Sequence, residues 1–190
     1  MNDTLEIQRL TPARRDDFLH FFDHDAFPDN PRWQRCYCHW LHADHKTVDW
    51  PNSTAEHNRA ASSRMIERGE MTGYLAYRDG RAIGWCNAAP FNAYAALADE
   101  AEPDAAETGA IVCFVVTAGA RRQGVARALL DAACAGLRES GLKIAMAKPL
   151  RAASGEAANH FGPLELYLAA GFAIHRETAE GDVFVRKRLG

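Results

Sequence analysis

The chain has 190 residues, 47% hydrophobic and 25% charged, with 22 Lys+Arg against 25 Asp+Glu and a formal net charge of −3. These proportions are those of a globular domain and argue against wholesale disorder or collagen, and the absence of a basic surplus or stripe argues against general nucleic-acid binding. No apolar run approaches the roughly 18–20 residues that span a bilayer, and the first 30 residues lack the features of a signal peptide, so a cytoplasmic single domain over residues 1–190 is expected.

In chain order, Leu5–Leu10 alternates apolar and polar residues, the period of a half-buried strand. Pro12 is placed to open a helix with Phe18, Leu19, Phe21 and Phe22 clustered on one side. Ser53-Thr54-Ala55-Glu56 resembles a capping box before a helix running to about Gly69. Thr72–Tyr77 and Arg81–Ala89 flank Asp79-Gly80, a strong hairpin signal. The stretch from Ala98 to Glu107 holds five acids and no base and is expected to be an exposed loop. Ala110–Val116 is an unbroken apolar run of strand length, expected in the middle of a sheet.

Beyond it, Val125, Leu129, Ala133 and Leu137 recur every four residues along a helix, and Ile144–Ala147 reads as a strand. Leu164–Ala170 reads as a short helix stopped by Gly171, and Phe172–Glu177 and Val183–Arg188 form a last hairpin. The expected architecture is an α/β, α+β mixed sheet with helices on its faces.

The most informative segment runs from Val115 and Val116 through Thr117-Ala118-Gly119-Ala120-Arg121-Arg122-Gln123-Gly124 to Val125 and Ala126. A buried strand ends, a turn of small residues follows, and a helix begins near Gly124. Helix N-termini carry unpaired N–H groups and partial positive charge, which together seat a phosphate. Glycine lets the backbone approach such an anion closely. Neither a P-loop nor a dinucleotide fingerprint is present.

Arg121-x-x-Gly124-x-Ala126 after a buried strand resembles the acyl-CoA-binding motif of the GNAT superfamily of N-acetyltransferases. Leu166-Tyr167-Leu168-Ala169-Ala170-Gly171-Phe172 is similar to that family's second signature, a Leu-Tyr-x-x-x-Gly-Phe helix end, and the element order resembles the GNAT fold across the chain. Gly84-Trp85-Cys86-Asn87 and Phe161-Gly162-Pro163-Leu164 resemble an uncharacterised bacterial branch of it.

The resemblance implies a central, mostly antiparallel sheet with a V-shaped splay between central strands, and acetyl-CoA bound there as acyl donor. Val115 and Val116 would pair with pantetheine, Arg122, Gln123, Gly124, Val125 and Ala126 would cradle the pyrophosphate, and Arg121, Arg122 or Arg127 are candidates for the 3′-phosphate. Many members carry an Asn about seven residues before the tyrosine, where this chain has His160 beside Asn159, and Pro163 interrupts the usual helix.

Acetyl transfer to a primary amine needs a neutral amine, a polarised thioester and a protonated leaving thiolate. The resemblance makes Tyr167 the general acid. The base stays open between Glu107, His160 and a water. Trp33, Tyr37, Trp40, Trp85 and Asn87 are the expected lining of the acceptor pocket. Direct attack in a ternary complex needs no enzyme nucleophile, and Cys113 reads as a core residue.

Cys36-Tyr37-Cys38-His39 with His42 and His45 has the residue types of a zinc site, but C-x-C is not the usual C-x2–4-C spacing. The expectation is packing without a metal. Two other readings stay open: an acyl-CoA-binding regulatory module without catalysis and, behind it, a metal or redox sensor on the C-x-C segment. The expected partners are acetyl-CoA and a small-molecule or peptide amine, with no nucleic acid and no membrane, in a monomer or homodimer.

Overall fold

A computed structural model describes residues 4–100, 102–151 and 159–190. Seven strands make one sheet: β1 (Glu6–Arg9), β2 (Gly73–Arg78), β3 (Arg81–Pro90), β4 (Thr108–Val116), β5 (Ile144–Ala147), β6 (Ala173–Glu177) and β7 (Val183–Arg188). Their spatial order is β1-β2-β3-β4-β5-β7-β6. Every neighbouring pair is antiparallel except β4 and β5. The helices are α1 (Arg15–His20), α2 (Ala55–Glu67), α3 (Val125–Glu139) and α4 (Leu164–Ala169). This is the mixed, mostly antiparallel α+β sheet expected from the sequence.

Local chemistry explains most element boundaries. Pro12 begins a 3₁₀ turn that leads into α1, and the π-helical turn Phe21–Asp25 extends it. The cap of α2 falls one residue later than the S-x-x-E spacing implies. Thr54 accepts the His57 N–H at 3.1 Å, while Ser53 Oγ donates to Asn58 Oδ1 at 2.7 Å. Asp79 and Gly80 both have positive φ, +50° and +74°, as a type I′ turn requires. The fourfold repeat on α3 is buried along its length, from Val125 through Leu129 and Ala133 to Leu137.

Strand side chains alternate between faces, and the core divides the same way. Leu75, Trp85, Cys113 and Val115 pack with Phe18, Phe21 and Phe22 on one face. Ala76, Cys86, Ile111 and Phe114 pack with Leu129, Ala133 and Tyr167 on the other. Each fully buried large side chain contributes about 1.5–3 kcal/mol.

The pairing of β4 with β5 runs only from Thr108–Ile144 to Ile111–Ala147. Beyond it β4 continues to Val116, still paired with β3 on its other side. The sheet therefore opens as a V between β4 and β5.

The acidic stretch before β4 is largely exposed, as expected, except at Glu102, but its carboxylates are not solvated singly. Its carboxylates are taken one by one: Asp99 by Lys46, Glu100 by Arg176, Glu102 and Asp104 by Arg186, and Glu107 by Lys143. Strands β5 to β7 place the last four of these contacts in reach, a folding outcome that composition does not contain. Glu102 is the buried member, its side chain 1% exposed. Removing one partner of such a pair strands the other charge, although Arg186 keeps Asp104. Glu102→Ala is expected to lower the unfolding free energy by about 3 kcal/mol. Asp99→Ala, at an exposed pair, is expected to change it by under about 1 kcal/mol. Urea denaturation of the two variants measures both.

Candidate active site

Strand β4 ends at Val116, and a 3₁₀ turn (Ala118–Ala120) leads through Arg121–Gly124 into α3. Arg122 and Gly124 both have positive φ, +59° and +81°. Left-handed residues here bend the chain into a concave turn, whose N–H groups join those of the first turn of α3. Space around Gly124 is open, so the backbone angle rather than crowding calls for glycine.

The turn forms one wall of a cleft of about 440 Å³, lined by Val115, Val116, Arg121, Arg122, Gly124, Val125 and Ala126, with Phe27, Phe114, Gly162 and Leu166 opposite or beneath. Gln123 is not in its lining. It accepts from Arg78 at 2.6 Å and donates to the Gly119 carbonyl at 2.8 Å, bracing the turn from outside. Arg121 is folded back, with Nε on the Val116 carbonyl at 3.0 Å and its fork on Asp29. That guanidinium holds the Asp29 carboxyl below the usual carboxylate range. Arg127 pairs with Asp131 at 2.9 Å and reaches the Ala169 carbonyl at 3.1 Å. Both arginines line the cleft while buttressing its walls.

The open edge of β4 faces this cleft. Thr117 donates to Ile83 of β3 at 3.0 Å, whereas Phe114 donates away from β3, to the His160 carbonyl at 2.6 Å. By the two-residue repeat of a strand, the N–H of Val116 points to the same open side as that of Phe114.

A second cleft, of about 820 Å³, adjoins the first and shares Phe27 and Val115 with it. Trp33, Trp40, Trp50, Arg32, Arg35, Cys113 and His160 are among its walls. The His160 ring stands edge-on to Trp33 with centroids 4.5 Å apart.

The sequence matches the acetyltransferase (GNAT) family model over residues 8–162. The chain belongs to the GNAT family. Three solved structures are similar to it. An N-acetyltransferase from Staphylococcus aureus Mu50 is 16% identical, with 98% of this chain and 99% of that one covered and a TM-score of 0.61. A ribosomal-protein-alanine N-acetyltransferase from Brucella melitensis is 19% identical, with 96% and 99% covered and a TM-score of 0.56. An N-acetyltransferase from Thermoplasma acidophilum in complex with coenzyme A is 12% identical, with 97% and 99% covered and a TM-score of 0.55. No curated protein matches the chain in sequence.

Within this GNAT fold, Tyr167 of α4 is fully buried and lines neither cleft. Its hydroxyl donates to the Phe161 carbonyl at 2.9 Å, and burial pushes its phenol well above the usual tyrosine value. The ring lies directly behind Gly162, which does line the first cleft. A Cβ on Gly162 would meet the ring at 3.0 Å and the hydroxyl at 3.4 Å. Helix α4 starts only at Leu164, after Pro163.

Of the five residues expected in the acceptor pocket, Trp33 and Trp40 line the second cleft and the other three do not. Tyr37 is buried with its hydroxyl on Asp23 at 2.6 Å, and burial followed by that carboxylate pushes its phenol up to about 12. Trp85 is fully buried with its ring edge-on to Phe18. Asn87, also fully buried, is a hub: it donates to Cys38 Sγ and to His42 Nε2, each at 3.1 Å, and accepts from the Tyr94 hydroxyl at 2.8 Å. Phe27, Arg32 and Arg35 carry no periodic signal and were not expected here.

The cysteines and histidines of this segment point to different partners. Cys38 and His42 meet Asn87, His39 Nδ1 meets Asn58 Oδ1 at 2.9 Å, and His45 Nε2 meets the Trp40 carbonyl at 2.8 Å. Among the described residues no group of three or more His, Cys, Asp or Glu side chains converges as metal ligands. Burial, with Cys38 as neighbour, pushes the Cys36 thiol up to about 12.

The hub leads to a pH dependence. Burial holds His42 down to about 4, against about 6.5 in an unfolded chain. Between those values the unfolded state binds a proton that the folded state refuses, so stability falls as pH drops from about 6.5 to 4. Thermal unfolding across that window is expected to show this loss, and His42→Gln to flatten it.

Proposed function

We propose that this GNAT protein transfers an acetyl group from acetyl-CoA to a primary amine, by direct attack in a ternary complex. The observation that carries the reading is the pair of adjoining clefts along the end of β4, meeting at Phe27 and Val115. Two substrates can be held at once with their reactive ends on one strand, and proximity of that kind removes much of the entropic barrier.

The smaller cleft suits the donor. The concave turn at Arg122 and Gly124 and the first turn of α3 supply N–H groups for a pyrophosphate, and the open edge at Val116 supplies one for an extended amide arm. That the Thermoplasma neighbour is a complex with coenzyme A supports a coenzyme A thioester as the donor. The donor brings an activated acyl carbon, and the chain's residues place it and manage protons.

Tyr167 is the proposed acid. Its high pKa keeps the proton on the hydroxyl at neutral pH, and the hydroxyl lies close behind Gly162, a residue of the cleft wall. Donation requires it to exchange the Phe161 carbonyl for the leaving sulfur. His160, in the wall of the larger cleft, is the proposed base toward the amine. Glu107 does not serve: it is paired with Lys143 at the far end of β4, about 25 Å of strand from Val115.

Two variants test the assignment. Gly124→Val forces a branched residue into positive φ and is expected to weaken acetyl-CoA binding about tenfold, read by titration calorimetry. Tyr167→Phe is expected to lower kcat by about 10²-fold with acetyl-CoA affinity unchanged, read by CoA release with an amine panel. Equal turnover of Tyr167→Phe and the parent protein removes Tyr167 from the mechanism.

A further inference from the structure

We propose that the acceptor is an α-amino acid with an apolar or aromatic side chain, its carboxylate received by Arg35 with Arg32. This rests on the transferase reading above and narrows its acceptor.

The larger cleft has a one-sided charge. Arg32 and Arg35 line it, and among its described lining residues there is no Asp or Glu. Elsewhere in the chain Arg15, Arg59, Arg81, Arg121, Arg127 and Arg186 each face a carboxylate. Among the described residues Arg32 and Arg35 have no such ion pair. The same is true of Arg9, Arg14, Arg64, Arg138 and Arg188, but of these only Arg32 and Arg35 line this cleft. Arg35 is held in place without being neutralised. Its Nη1 donates to the carbonyls of Pro51 at 3.1 Å and Ser53 at 3.0 Å, and its own carbonyl accepts from buried Asn58 at 2.9 Å. Those bonds use one end of the guanidinium and leave Nε and Nη2 for a planar acceptor. Fixed guanidinium forks match carboxylates in just this way.

The rest of the wall sets the body of the acceptor. Trp33, Trp40 and Trp50 give an apolar, aromatic surface, and Cys113 and Val115 lead to the strand shared with the donor cleft. A polyamine or aminoglycoside would bring positive charge to two arginines with nothing to balance it. The acids before β4 offer such cations no free patch, because each is paired with a Lys or Arg of this chain. An amine bearing a carboxylate and an apolar side chain satisfies both features of the wall at once. The transfer itself forms the amide N–C bond and breaks the thioester C–S bond. The amine loses one proton and the departing sulfur gains one.

The test is CoA release from acetyl-CoA with paired acceptors: L-phenylalanine, L-tryptophan, L-leucine and L-methionine against phenethylamine, tryptamine, isoamylamine and spermidine. At least one amino acid is expected to exceed its decarboxylated partner tenfold or more in kcat/KM. Arg35→Gln is expected to bring that ratio near one, chiefly by raising KM for the amino acid. Arg32→Gln, at an exposed side chain, is expected to lower the ratio in a protein whose fold is not in question. Equal or better use of the decarboxylated amines or spermidine overturns the proposal and leaves acetyl transfer standing. So does transfer only to the N-terminus of an Ala-Phe dipeptide run beside them in the same assay. No transfer to any of these amines overturns both readings together.

Discussion

When β4 leaves β5 after Ile111, it keeps β3 on one side and loses its neighbour on the other. A strand in the middle of a sheet cannot leave its backbone groups unpaired at no cost, because each buried N–H or C=O needs a partner. The His160 carbonyl takes the N–H of Phe114, and the Arg121 side chain takes the carbonyl of Val116. The turn that follows, the start of α3 and the short helix α4 are all arranged around that opened edge. Had β5 continued alongside β4, there would be no cleft for the turn to face.

The same strand also sorts the chemistry. Successive residues of β4 point to opposite faces, so Cys113 and Val115 belong to the aromatic side, while Phe114 belongs with α3 and Tyr167. Two adjoining cavities with different linings meet at Phe27 and Val115. The smaller has the amides of the turn with Arg121, Arg122 and Arg127 beside them, whereas the larger has three tryptophans with Arg32 and Arg35. Cys113 reaches only the larger cavity and Phe114 and Val116 only the smaller, while Val115 touches both.

What was legible in the sequence follows from how local each signal is. The Arg121-x-x-Gly124-x-Ala126 turn, the repeat on α3 and the Asp79-Gly80 hairpin are written within a few residues, and their positions were readable. Trp85 and Asn87 misled because residue type alone does not say which way a strand residue points or what stands over it. Asn87 is covered by Cys38, His42 and Tyr94, two of which lie more than forty positions away. The ion pairs of the acidic stretch were not readable for a related reason: its partners on β6 and β7 are 76 to 84 positions distant. Composition sees the charges and cannot see the pairing. The arginines of the larger cleft sit in an irregular segment without period, so nothing in the string set them apart from solvated ones.

Those ion pairs have a mechanical side. The V has two arms, one made of β1 to β4 and the other of β5, β7 and β6, joined by a parallel ladder of four residue pairs. Around the closed end of that ladder sit Lys143 with Glu107, and Arg186 with Glu102 and Asp104. They rivet the two arms together at the end of the strand opposite Val116. Glu102 is the part of the rivet that water does not reach, so its attraction to Arg186 is less softened by salt than that of the exposed pairs around it.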